Sequence, residues 1–123
     1  MNQPPKALLL CHSYDSPFLN VAVQYASLFK GSKVDLVVAF LKGADSEIVR
    51  DSICASEIIF LNRKSSELKG SKKSIIKELK TLNLKHNFVF CIAHRFKSTY
   101  VSLKLGLPTI GISHIDGVYS RFH

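Results

Sequence analysis

The feature that most constrains this chain is a set of apolar runs that do not alternate. ALLLCHS (7–13), KVDLVVAF (33–40), SEIIFLN (56–62) and HNFVFCIA (86–93) each hold consecutive aliphatic or aromatic residues, and PTIGIS (108–113) is a shorter run carrying two isoleucines. A strand with one wet face alternates apolar and polar side chains, because successive residues point to opposite sides. Runs that are apolar throughout belong to strands covered on both faces, as in a parallel sheet. Helix-like segments separate them. PFLNVAVQYASLFK (17–30) is apolar on most sides, with Pro17 suited to a first turn and Gly31 to a stop. ADSEIVRDSI (44–53) has acids in its first turn, where the helix dipole favours them. SKKSIIKELKTLN (71–83) places Ile75, Ile76, Leu79 and Leu82 on one face. KSTYVSLKLG (97–106) stops at Gly106, and HIDGVYSRFH (114–123) is a tail.

The resulting β-α-β-α-β-α-β-α-β order, in 123 residues, makes one domain spanning 1–123. Right-handed crossovers turn it into a Rossmann-like, doubly wound parallel α/β sheet of about five strands with helices on both faces. Strand order 3-2-1-4-5 is expected, with 2-1-3-4-5 as the alternative. In the first order the chain reverses direction between strands 1 and 4. Ligands of open α/β sheets bind beside such a reversal, at the C-terminal strand ends.

The residues at those ends are His12, Ser13 and Tyr14 after strand 1, His94, Arg95 and Lys97 after strand 4, and His114, Asp116 and Gly117 after strand 5. Three of the five histidines therefore share one sheet edge, and His86 lies at the other. A strand-end histidine serves as an acid or base near neutral pH, as a hydrogen-bond partner of a sugar or phosphate, or as a cap for a loop carbonyl. Nothing in the spacing demands that the three converge on a metal ion, and no metal is expected. Arg95 and Lys97 precede a helix whose first turn offers Ser98 and Thr99, a pattern suited to an anion or to ordinary solvation.

Several chemistries are excluded. HSYDSPFLN, the first strand-to-helix junction, has no glycine, and the chain has neither GxGxxG nor GxxxxGK[ST]. No cofactor is expected. No GxSxG elbow supports a Ser13–His94–Asp15 triad. Cys11, Cys54 and Cys91 are odd in number and form no CxxC, which points to reduced structural thiols. MNQPPK lacks the basic start, apolar segment and small-residue cleavage site of a signal peptide, so none is expected, and no apolar run approaches the roughly 20 residues of a membrane span. A cytoplasmic protein is expected, with peripheral contact to the inner membrane face open to it. The net charge is +8, and the stretch from Arg63 to Lys85 supplies +6 of it, with only Glu67 and Glu78 opposing eight basic residues. Lys72, Lys73, Lys77 and Lys80 form either a solvated helix face or a surface for nucleic acid or anionic lipid.

AHRFKSTYVSLKLGLPTIGISHIDG (93–117) resembles the middle of the N-terminal domain of GT-B glycosyltransferases, especially the retaining group that builds lipopolysaccharide cores and related glycans. There too a strand ends in histidine, a helix follows, and a proline-containing strand ends in a second histidine. KALLLCHSYDSPFLNVAVQYASLF (6–29) resembles that family's opening strand and helix. The resemblance implies an acceptor-side domain of an enzyme moving a sugar from a nucleotide-sugar donor to a cell-envelope glycan or lipid acceptor. It implies His94 as the catalytic-cleft residue beside the transferred sugar and His114 as a second lining residue. Arg95 and Lys97 would face an anionic acceptor, and His12, Ser13, Tyr14 and Asp116 complete the expected substrate-binding set. Two departures stand out. The family's glycine-rich first loop is replaced by HSYDSPF, and the donor-holding second domain is lacking before His123. The chain is accordingly expected to be a truncated form, inactive alone, whose fifth strand leaves an edge open to self-association or a complementary chain. Other classes stay open: a stand-alone α/β binding or regulatory module, and a basic nucleic-acid-binding protein.

Overall fold

The computed structural model describes residues 3–112. The elements run β1 (Lys6–Cys11), α1 (Phe18–Phe29), β2 (Asp35–Phe40), α2 (Glu47–Ser52), β3 (Glu57–Phe60), a 3-10 turn (Ser65–Leu68), α3 (Lys73–His86), β4 (Phe90–His94), α4 (Phe96–Lys104) and β5 (Thr109–Ile112). The five strands form one sheet in the order β3-β2-β1-β4-β5. Every pairing is parallel, with Leu8 opposite both Val37 and Cys91, and His94 opposite Ile112. This is the doubly wound α/β architecture, and the first of the two expected strand orders.

Burial explains why the runs do not alternate. From Ala7 to Cys11 every side chain of β1 is buried. Leu8 and Leu10 pack with Val37, Ala39, Cys91 and Ala93 under Leu68, Ile75, Leu79 and Val101. Ala7, Leu9 and Cys11 pack with Val38, Phe40 and Ile92 under Ala22, Ala26, Val49 and Ile53. One sheet face is thus covered by α3 and α4, the other by α1 and α2. The central strands have no wet side on which a polar residue would be favourable.

Element ends differ from the sequence reading where local hydrogen bonding decides them. Ser46 caps α2 by accepting the Val49 N–H at 3.3 Å, so the helix begins after the acidic residue Asp45. Helix α3 continues past Asn83 to His86 and stops at Asn87, which takes the left-handed conformation (φ +55°). Asn83 stays helical, and its side-chain oxygen accepts the Phe88 N–H at 2.9 Å. Residues 86–89, expected in a strand, are therefore the helix end and its connection to β4. Periodicity does not announce the 3-10 turn, which is too short to show one. Glu67 stabilises it by accepting the Lys64 N–H at 2.9 Å.

Candidate anion site at the strand ends

The C-terminal ends of β1, β2 and β4 meet where the sheet reverses direction. Backbone pairing extends beyond the strands: Leu41 N–H donates to the Cys11 carbonyl at 2.9 Å and Lys42 N–H to the His12 carbonyl at 2.8 Å. This holds Lys42 beside His12. On the other side Arg95 N–H donates to the Ile112 carbonyl at 2.8 Å, which places the turn into α4 level with the end of β5.

Phe18, the first residue of α1, organises the side chains. Its ring meets His94 edge-on at 4.9 Å between centroids and His12 at 6.0 Å, and the Arg95 guanidinium lies 5.4 Å from its centre. Phe18 is itself 9% exposed. An apolar ring thus joins two histidines and an arginine contributed by two different strand ends. Arg95 adopts φ +78°, ψ 168°, a backbone region that residues other than glycine rarely occupy. Such a conformation costs on the order of 1–3 kcal/mol and clusters at functional sites. Its carbonyl is held by the Thr99 N–H at 3.1 Å and the Thr99 hydroxyl at 2.8 Å.

His12 is half-buried, and its pKa is lowered. Burial is the largest cause, followed by the nearby cations Arg95, Lys97 and Lys42, while Asp15 acts in the opposite direction. The imidazole is therefore neutral at physiological pH and sits in a positive field. Three cations against one carboxylate is an arrangement that favours an anion. Lys42 also donates to the Ser65 hydroxyl at 2.9 Å, which ties the 3-10 turn to the site.

No family model matches this chain, and no curated protein matches it in sequence.

The sequence-predicted residues divide into groups. His12, His94 and Arg95 meet at Phe18, and Lys97 joins them through its effect on His12. His94 is fully buried, so a ligand reaching its ring must displace what covers it. Ser13 is occupied by the loop: its oxygen accepts the Asp15 N–H at 3.2 Å and lies 3.4 Å from the Asp15 carboxylate. Tyr14 turns toward β2 and β3. It meets Phe40 and Phe60 edge-on, and its hydroxyl donates to the Ala44 carbonyl at 3.1 Å. Gly43 makes room for it, since a side-chain carbon there would collide with the Tyr14 ring. The first-turn hydroxyls of α4 are not offered outward, because Ser98 is buried and Thr99 is committed to Arg95. His114 and Asp116 lie outside the described residues.

Sequence reasoning missed Lys42 and Phe18. Lys42 had a signal, since it follows strand 2 on the edge where the other candidates lie. Phe18 had none, because its role depends on the angle at which α1 leaves the sheet. Two clefts, of about 160 and 320 Å³, open on the opposite edge, the larger lined by Lys6, Lys85 and His86. Helices α1 and α3 end there with their carbonyls, the unfavourable pole for an anion. Among the described residues no group of three His, Cys, Asp or Glu is placed to hold a metal ion, and no helix is long and apolar enough to cross a membrane.

Proposed function

We propose that this chain is an acceptor-side domain of a GT-B-type glycosyltransferase acting on cell-envelope glycans. In this reading the cations at its strand ends hold the phosphate of a nucleotide-sugar donor or of a phosphorylated glycan or lipid acceptor. The observation that carries it is the neutral His12 set among Lys42, Arg95 and Lys97 at the reversal of the sheet. Lysine and arginine supply attraction to phosphate oxygens, and arginine adds a planar donor fork. A neutral imidazole donates to or accepts from a sugar hydroxyl without repelling the cations. His94 belongs to the wall behind that contact, through Phe18. The resemblance of 93–117 to the retaining glycosyltransferases supplies the reaction class.

Anion binding should raise the pKa of His12, because added negative charge favours the imidazolium. By linkage, the contribution of His12 to binding grows as pH falls from 8 toward 6, while protonation of the phosphate near pH 6 acts against it. The test is an NMR titration of the chain with a nucleoside diphosphate, a sugar phosphate and the same sugar without phosphate. The two phosphorylated ligands should shift the His12 imidazole and the amides of 42–43 and 95–98, and Lys42→Gln or Arg95→Gln should weaken both by roughly tenfold, about 1.4 kcal/mol. Absence of any shift at the strand ends with millimolar nucleotide and sugar phosphate would refute the proposal.

A further inference from the structure

The exposed charged residues of the helical layer over one sheet face, on α3 and α4, are all lysines. Helix α3 exposes Lys73, Lys77 and Lys80 at i, i+4 and i+7, and Leu84 continues the same stripe at 86% exposure. From Lys73 to Leu84 the stripe is about 16 Å long. The only acids of the segment, Glu67 and Glu78, both pair with the guanidinium of half-buried Arg63. Among the described residues none of the lysines of α3 has an ion-pair partner. Lys72 is set apart from them. It is half-buried, left-handed at φ +56°, and its ammonium lies 4.9 Å from the Tyr100 ring. Lys104 approaches the same ring at 5.5 Å, so the basic surface continues onto α4, where Leu103 is 61% exposed. The opposite layer differs, with Glu47 and Asp51 exposed on α2.

We propose that the outer face of α3, with the end of α4, lies on an anionic bilayer surface. Lysine ammoniums would meet lipid phosphates while Leu84 enters the headgroup–acyl boundary. Charge complementarity requires a polyanion, and two features favour lipid over nucleic acid. Leu84 and Leu103 gain by leaving water for an acyl boundary, which a phosphodiester backbone does not offer. The exposed stripe of α3 has no arginine for bidentate phosphate contact and no aromatic residue on which a base could stack. The apolar face of α3 is committed to the core through Ile75 and Leu79, so the contact would be mainly electrostatic, with exposed Leu84 and Leu103 added to it. This inference does not depend on the ligand of the strand ends.

The experiment measures partition of the full chain into vesicles of phosphatidylcholine alone and of phosphatidylcholine with phosphatidylglycerol, at low and physiological salt. Binding to the mixed vesicles only is expected, and it should weaken as salt rises. Each lysine near an anionic surface contributes about fivefold, so the triple variant Lys73→Gln, Lys77→Gln, Lys80→Gln should lose on the order of 100-fold. The chain has no tryptophan. The single indole introduced by Leu84→Trp should shift to the blue on the mixed vesicles. Lys30→Gln with Lys33→Gln, on another edge of the fold, should bind as the parent does. Circular dichroism verifies that each variant is folded. No partition at low salt, an unshifted indole, or full retention by the triple variant would overturn the proposal. So would binding of single-stranded RNA by a chain that ignores both vesicles.

Discussion

Replacing Phe18 by leucine removes the ring on which His12, His94 and Arg95 rest while keeping an apolar side chain at the start of α1. The cost follows from the interactions that the ring makes. An edge-on aromatic pair is worth about 0.5–1.5 kcal/mol beyond burial. His94, at 4.9 Å, lies well within the favourable range, whereas His12, at 6.0 Å, contributes less. A guanidinium over a ring at an exposed position adds about 0.5–1 kcal/mol. The smaller side chain in a site that is 9% exposed adds about 1 kcal/mol. The sum is about 2–4 kcal/mol, against total stabilities of about 5–15 kcal/mol for single domains. Phe18→Leu should therefore fold, with its urea midpoint lowered by about 1–2 M at an unchanged slope. A double-mutant cycle with Arg95→Gln isolates the guanidinium contact, for which a coupling of about 0.5–1 kcal/mol is expected. A loss below about 1 kcal/mol together with an additive cycle would show that Phe18 does not hold the site together.

Two further outcomes follow from protonation. His86 is buried at the end of α3, with Nδ1 3.3 Å from the Lys6 ammonium and Nε2 3.5 Å from the Glu57 carboxylate. Burial lowers its pKa from the ordinary 6.5; Glu57 opposes this, and Lys6 and Lys85 reinforce it. His12 is lowered too, so between the folded and unfolded values the native state binds fewer protons than the unfolded one. Stability is then fully present above pH about 6.5 and declines as pH falls below it, toward the depressed folded values. Urea midpoints at pH 7.5 and 5.5 should show the decline, and His86→Gln should reduce it; equal midpoints for the parent chain would contradict the burial argument. Burial also pushes the thiol of Cys11 up to about 12 and that of Cys91 up to about 11, while Cys54 is exposed. A thiol reagent at pH 8 should modify one cysteine in the native chain and three in urea, and rapid loss of a second native thiol would count against this core.

The parts of the fold legible in the sequence are those that burial alone decides. Val37 through Leu41 are apolar without interruption because both faces of β2 are covered. Element ends were less legible. TLNLKHN contains two asparagines able to end a helix, and only the chain's return into β4 selects Asn87 over Asn83. At the site, the strand-end rule located His12, Arg95 and Lys97, because topology places such residues on one edge whatever their side chains do. It could not tell that Ser13 is taken up by its own loop, that Tyr14 packs on Phe40 and Phe60, or that the His94 ring is covered. Those outcomes depend on rotamers and on the path of a loop, for which periodicity carries no signal.

Hydrophobic pattern therefore determined the sheet, its parallel sense and the edge on which polar groups collect. The pattern expresses a bulk preference for removing apolar surface from water, which is additive along the chain and readable residue by residue. Tertiary structure decided which of those polar groups act together. Lys42, separated from His12 by 30 positions, enters its field only because β2 pairs with β1. Phe18 joins two strand ends only because α1 starts over both. Arg63 frees the lysine stripe of α3 only because the fold brings Glu67 and Glu78 to one guanidinium. Electrostatic and aromatic interactions fall off steeply with distance and direction, so they exist only once the backbone has fixed both.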